Sequence, residues 1–561
     1  MTGMGGLRAL VRVAGVGLLA ALVLPGLAPW AAAILDRRAG GEAARPSLFP
    51  IALAALDPFV WRCARNSAAM AVLVAAGSAA VGVSLGMLAG LRRFWGRPAL
   101  AALAITPMAA GPLLIASGVE LVVGGEAAWA WLAARTALGY STEDLARWSA
   151  LAWVGLACGA PLVAMATASA LEKVEAAAVE AARAVGASRW RAWRDVTWPA
   201  IRPDLGRATA AVFALTLAEP AGPLVLGLRR TLAVQMIDAT RRLDEPTRAA
   251  TLAVLAALIA ALGHSLIVRL GGRSAGRRRP GIAHPSPSAG RRGGSIAVLI
   301  LGAWAAFALG PAVLVLARAH GESRDPAWPI RGWMADPESW AWLANAATTA
   351  GLAVGLDLLA LWALGRRGPG RVARALAVVP PLALGVGALA IPWLIEAVAG
   401  AAGDGPGRPL RALALELAPG RAPGFLLILA LAASRLPMLA LAADLARSRS
   451  RPVLEEAAMA LGLSPRRARR AGDPRWLGIV PGRSALLALI LAATNLAPAL
   501  LLTPTPERRT PAPAALGLVL RSGATDPRAA RLLAALFSAN LVGLTLASRG
   551  RDGRIGEWFR G

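Results

Sequence analysis

Lysine is nearly missing from these 561 residues: Lys173, in the stretch LEKVE, is the only one among 60 basic residues. A glycine-rich phosphate loop ends in Lys-Ser or Lys-Thr, so the chain carries no ATP-hydrolysing loop of that kind. Cysteine is scarce too. Cys63 and Cys158 are the whole supply, too few for a disulfide framework or a thiolate metal site. A single tyrosine, Tyr140, and three scattered histidines leave no His, Tyr and carboxylate cluster for tight metal ligation. No nucleophile–base pair stands out either. Catalytic groups, metals and cofactors are therefore not expected, and acids are outnumbered, 32 against 60.

Apolar residues supply the bulk. They make up 57% of the chain and give a mean hydropathy of +0.56, a composition suited to lipid as solvent. A membrane span needs roughly 20 mostly apolar residues, and about twelve such runs can be read, from 13–35 to 531–548. Arg8 and Arg12 ahead of the first apolar run resemble a secretory signal. An uncut span from Ser295 occupies the same place in the second half, which favours retention of both. The formal charge of +28 suggests a polyanion partner at first sight. With a cytoplasmic N-terminus, however, most of the arginine excess falls on the cytoplasmic connections and on both termini. That is the positive-inside bias, and it makes a nucleic-acid partner unnecessary.

The chain also repeats itself. DPFVWRCARNSAAM from Asp57 aligns with DPESWAWLANAATT from Asp336, pairing Asp57, Trp61 and Asn66 with Asp336, Trp340 and Asn345 at one constant offset. Farther along, Pro161, Glu180, Gly186 and Gly206 pair with Pro437, Glu456, Gly462 and Gly482, again at a constant but slightly shorter offset. The slip suggests a length change in the loop after the third span. The expectation is an all-α polytopic membrane protein of two tandem six-helix domains, 1–270 and 295–561. Between them 271–294, rich in Gly, Pro, Ser and Arg, reads as a flexible basic cytoplasmic linker. It is a solvated tether or a contact for anionic membrane lipid.

A polar insert interrupts each half, at about 172–206 and 446–483. In the first, LEKVEAAAVEAARAV is built of strong helix formers. Gly186 suits the positive φ that ends a helix, Ser188 can cap a second helix, and Pro199 is expected to end it. Helix, sharp turn and helix over about 35 residues exceed what a plain connection needs. A docking surface for a partner and a hairpin lying on the membrane are both compatible with that pattern.

The stretch EAARAVGASRWRAWRDVTWP resembles the EAA loop of bacterial ABC importer permeases. Glu180, Ala181, Ala182, Gly186 and Pro199 match that motif. In EEAAMALGLSPRRARRAGDPRWLGIVPG, Glu456, Ala457, Ala458 and Gly462 match, while Gly472 and Pro474 depart from the pattern that follows. The resemblance implies a type I importer fold in a bacterial inner membrane and docking of a separate ABC ATPase, one copy per loop. It also implies solute delivery by a binding protein. A double-length chain is most similar to permeases for iron(III) and thiamine, with polyamines and phosphonates as alternatives.

Polar groups inside spans are costly and usually face the bundle interior. Glu219 and Asn495, equivalent in the repeat and embedded in LAEPAGP and TNLAPAL, are candidates for the translocation path, together with Arg435 and Glu120. Asp357, Glu396 and His264 are further intramembrane polar residues. A proton-coupled secondary transporter would also use such carboxylates, but it gives the two inserts no purpose.

Overall fold

The computed structural model describes residues 3–36, 45–46, 49–91, 102–123, 142–171, 174, 176–241, 246–272, 291–323, 336–364, 370–402, 404–417, 423–464, 482–503, 510–524 and 526–548. Among these residues the fold is helical, except for a two-residue antiparallel ladder that pairs Leu35 and Asp36 with Pro46 and Arg45. Eight helices are long and apolar enough to cross a membrane, and a ninth span results if the bent pair Ser484–Ala493 and Leu496–Leu502 counts as one. Every region expected to span carries helix, but not always at the expected length. The third is a 17-residue helix, Pro107–Val123, kinked where Gly111 adopts φ 73°. The tenth is the apolar stretch Gly424–Ala440 of a longer helix, Pro423–Ala460. The last region is the 22-residue helix Pro527–Ser548. Of the expected linker, 273–290 lie outside the described residues, and at Arg291 the chain is already helical.

The halves do not sit side by side as separate bundles. The first helix of the first half, Gly3–Ile34, packs on Pro381–Ala401, the third span of the second. Reciprocally, Arg291–Ser323 packs on Pro107–Val123. The closest approach is equivalent in both crossings: a Cβ on Gly118 would overlap the Pro311 carbonyl, and one on Gly387 would overlap that of Pro25. Lipid gives helices no hydrophobic reason to associate, so close backbone approach at small residues does much of the holding. This equivalence also corrects the reading of the slip. The offset from Gly118 to Gly387 is shorter than both the one from Asp57 to Asp336 and the one from Glu180 to Glu456. The connections on both sides of the third span therefore differ in length between the halves.

Proline explains one of the cross-ties. Pro311 lies inside its helix and has no N–H for the carbonyl four residues earlier. That carbonyl belongs to Phe307, and it accepts the indole N–H of Trp153 at 2.9 Å while the two rings stack at 5.1 Å. Trp304 adds a second bond across the halves, from its indole N–H to the Ala104 carbonyl at 3.2 Å. Apolar side chains then close around these ties. One buried cluster joins Leu114 and Val154 of the first half to Leu301, Leu496 and Leu533 of the second.

Candidate functional site

Between the fourth and fifth spans of the first half the chain forms helix Ala176–Ala184, a turn, and helix Arg189–Ala192. The helix starts later than LEKVE suggests, with a turn at Val174 whose N–H reaches the Leu171 carbonyl at 3.2 Å. Gly186 ends it at φ 92°. Its N–H reaches the Arg183 carbonyl at 3.0 Å, and the Ala187 N–H reaches that of Ala182 at 3.0 Å. These paired backward bonds satisfy the open end of the helix and need a left-handed residue between them. Ser188 caps the next helix, its hydroxyl accepting the Arg191 N–H at 3.2 Å. Glu180, Ala181, Gly186 and Pro199 are exposed, and Ala182 is half-buried.

Pro199 does not end the second helix as expected. The backbone runs from Ala192 through a wide turn at Trp193–Thr197, closed by the Trp198 N–H on the Trp193 carbonyl, directly into helix Trp198–Leu217. Proline falls in the first turn of that helix, where its missing N–H is tolerated. The five-residue turn keeps the ring clear of the carbonyl it would otherwise meet. Trp190 stacks on Trp193 at 5.0 Å, and Trp193 lies 5.4 Å from Trp198. The protrusion and the fifth span are thus one continuous piece.

The second half repeats the turn. Gly462 has φ 81°; its N–H reaches the Met459 carbonyl, and the Leu463 N–H reaches that of Ala458, both at 3.0 Å. Ala458 is buried, whereas the side chains of Glu456 and Ala457 lie outside the described part of the molecule. Gly472 and Pro474 also lie outside the described residues. What leads into the turn differs: a single helix, Pro423–Ala460, runs from the tenth span to it. Sequence reasoning overlooked the residues just before the glycines. Val185 is 90% exposed and Leu461 is 83% exposed, and they are equivalents in the repeat. A lone aliphatic side chain ahead of each matched glycine was the available signal.

A cavity with room for water-sized molecules in about 170 Å³ opens where the halves meet. Several of its lining residues are repeat equivalents: Pro112 with Pro381, Leu215 with Leu491, Gly159 with Arg435, and Glu219 with Asn495. Three of the four path candidates, Glu219, Arg435 and Asn495, therefore meet at one place. Glu120 does not line it. It sits near the far end of Pro107–Val123, with Arg147 acting on its charge. Trp148, unremarked in the sequence, lines the cavity, and so does Cys158.

Glu219 and Asn495 occupy matching breaks in the fifth span of each half. In the first, Trp198–Leu217 stops and Ala221–Val225 follows; the Glu219 Oε1 accepts the Ala221 N–H at 3.1 Å. In the second, Asn495 precedes Leu496–Leu502 at a bend of 48°, and its Nδ2 is buried without a partner among the described residues. The prolines of LAEPAGP and TNLAPAL remove the donors that would bridge these breaks. Arg435 donates from Nη2 to the Leu491 carbonyl at 2.8 Å. Two carboxylates act on its charge, Asp357 first and Glu219 second.

Apolar helices from two interlocked halves, enclosing a mostly apolar cavity with a few polar groups at their junction, define a multi-pass α-helical membrane protein. Residues 82–275 match the family described as the binding-protein-dependent transport system inner membrane component. The matched stretch contains Glu180, Gly186 and Glu219, and over these residues the chain is similar to the inner-membrane components of binding-protein-dependent importers. No curated protein matches the chain.

Proposed function

We propose that both halves, 1–270 and 295–561, act as permease domains and that the cavity between them is the path of a small solute brought by a binding protein. Each protrusion then docks one copy of a separate ATPase on the cytoplasmic side of a bacterial inner membrane, with both termini on that side. ATP-driven closure of the two ATPases tilts the halves and alternates access. The observation that carries this reading is the duplicated protrusion: the same turn recurs at the equivalent place in the second half, each time preceded by a nearly bare aliphatic side chain, Val185 or Leu461. Exposed apolar groups at such tips suit a protein partner. A secondary transporter has no use for them. For the solute, resemblance favours iron(III) first and thiamine second, with polyamines and phosphonates as further alternatives.

Co-purification tests the reading. The permease, expressed with the ATPase and solute-binding protein encoded beside it, is expected to retain the ATPase, and the loaded binding protein is expected to stimulate ATP hydrolysis. A permease that never retains an ATPase would sink the proposal. The ligand carried by the purified binding protein identifies the solute.

A further inference from the structure

Where the first protrusion meets the membrane, its chemistry changes. Trp198 packs on the buried cluster of Leu171 and Ile201, beside Met87, and these residues stand at one end of the second, fourth and fifth spans. Arg202 adds the sixth span: its Nε donates at 3.1 Å to the carbonyl of Gly271, the last residue of helix Pro246–Gly271. Four span ends therefore fix the level of the membrane boundary close to Trp198. The tryptophan stack starts there, with Trp193 at 5.4 Å from Trp198 and Trp190 at 5.0 Å from Trp193. A headgroup layer is about 5–8 Å thick on each side of the hydrocarbon, so both outer rings stay within that layer or at its edge. Trp190 is 64% exposed, and an indole prefers the headgroup level to bulk water. Arg189 and Arg191 flank it; both are exposed and have no carboxylate partner among the described residues, whereas Arg194 pairs with Asp195 at 2.8 Å. A guanidinium can hold a phosphate through two parallel hydrogen bonds. The equivalent positions of the second half carry Arg466 and Arg469 in place of Trp190 and Trp193, so the aromatic part is peculiar to the first half.

We propose that the turn over 188–198 is a binding site for an anionic phospholipid of the leaflet on the protrusion side, with Trp190 among the headgroups and Arg189 and Arg191 on the lipid phosphate. Two exposed cations beside an indole complement an anionic leaflet, and the four span ends put them at its level. The ATPase then meets the tip alone, helix Ala176–Ala184 with Val185, on the other side of the Gly186 turn. Lipid holds the foot of the protrusion and protein holds its head. The inference rests on the membrane-spanning fold and goes beyond ATPase docking.

The full chain carrying Cys63→Ala and Cys158→Ser takes a single reporter at Arg194→Cys, labelled with the fluorophore NBD. Asp195→Asn accompanies it, so that the ion pair is removed as a unit. The protein is reconstituted in phosphatidylcholine nanodiscs with a low, equal fraction of either phosphatidylglycerol or phosphatidylcholine bearing a nitroxide near the carbonyls. Quenching by the phosphatidylglycerol is expected to exceed that by phosphatidylcholine about threefold or more, within the preference that one arginine near an anionic surface gives. Arg189→Gln with Arg191→Gln should bring the ratio close to one, and Trp190→Ala should weaken quenching by both lipids. A reporter at the tip, Val185→Cys, should be quenched severalfold less by either. Equal quenching by the two lipids overturns the inference, as does a ratio that the double arginine variant leaves unchanged, or quenching no stronger than at the tip. Loss of lipid quenching when the ATPase binds would assign the turn to the ATPase and overturn it as well. ATPase pull-down is read in parallel and is expected to survive Arg189→Gln with Arg191→Gln, so failure of docking and failure of lipid binding are told apart.

Discussion

The second and fourth spans meet differently in the two halves. In the first half glycines press them together: a Cβ on Gly82 would lie 2.6 Å from the Val163 Cβ, one on Gly155 2.6 Å from a Val74 methyl, and one on Gly159 2.6 Å from the Ser78 hydroxyl. The equivalent positions in the second half hold Leu361, Leu431 and Arg435, all buried. Larger side chains hold that pair of helices apart, and the space gained is what admits a guanidinium. The carboxylate that acts on its charge follows the same rule, since Asp357 stands where the first half has Ser78. The two repeat-related helix pairs thus differ: one is close-packed on glycines, and the other is wider and carries Asp357 and Arg435.

Exchanging residues between the helix pairs should break this contrast most severely. Gly82→Leu, which installs the residue of the second half, has no room against Val163 and the Ala160 carbonyl. Overpacking of this kind costs about 1–3 kcal/mol and sometimes more. Loss of a monodisperse peak on size exclusion after detergent extraction is expected, and a normal peak would show that the first pair is not glycine-dependent. Next in size is Arg435→Met. It removes the cation that acts on buried Asp357, and a measurable drop in melting temperature is expected. Arg435→Met with Asp357→Leu should recover most of the lost melting temperature, and no recovery would separate the two residues energetically.

The protrusions provide a finer contrast. Gly186 and Gly462 make the same turn, so valine at either site strains the backbone by roughly 1–2 kcal/mol. Beyond Gly186 the tryptophan stack leads straight into the span bearing Glu219, whereas the second loop carries Gly472 and Pro474. Gly186→Val should therefore reduce ATPase pull-down more than Gly462→Val at matched membrane abundance. Equal losses would remove the asymmetry and keep the docking role; no loss from either would favour a hairpin lying on the membrane. The smallest effect is expected for Trp153→Phe. It deletes the bond to the Phe307 carbonyl and retains a ring, so about 1 kcal/mol is at stake, readable as a small drop in melting temperature.

Local chemistry made much of this molecule legible. Gly186 and Gly462 reveal their turns because few other residues adopt positive φ without cost, and the matching breaks at Glu219 and Asn495 show through their flanking prolines. Pro199 was misread for a related reason. Proline marks the end of one helix or the first turn of the next with equal ease, and only the wide turn at Trp193–Thr197 decides between them.

By itself the sequence pointed to a chain of apolar helices, to an internal repeat, and to a polar insert at the equivalent place in each half. These properties follow from composition, periodicity and glycine placement along the chain. Only the tertiary structure decided that the first helix of each half belongs to the other half's packing, at Gly118 on Pro311 and Gly387 on Pro25. It alone gathered Glu219, Arg435 and Asn495 at one cavity and left Glu120 outside. Residues far apart along the chain become neighbours through helix crossings, and a crossing is set by the side-chain volumes of two facing surfaces. Neither surface carries that information alone.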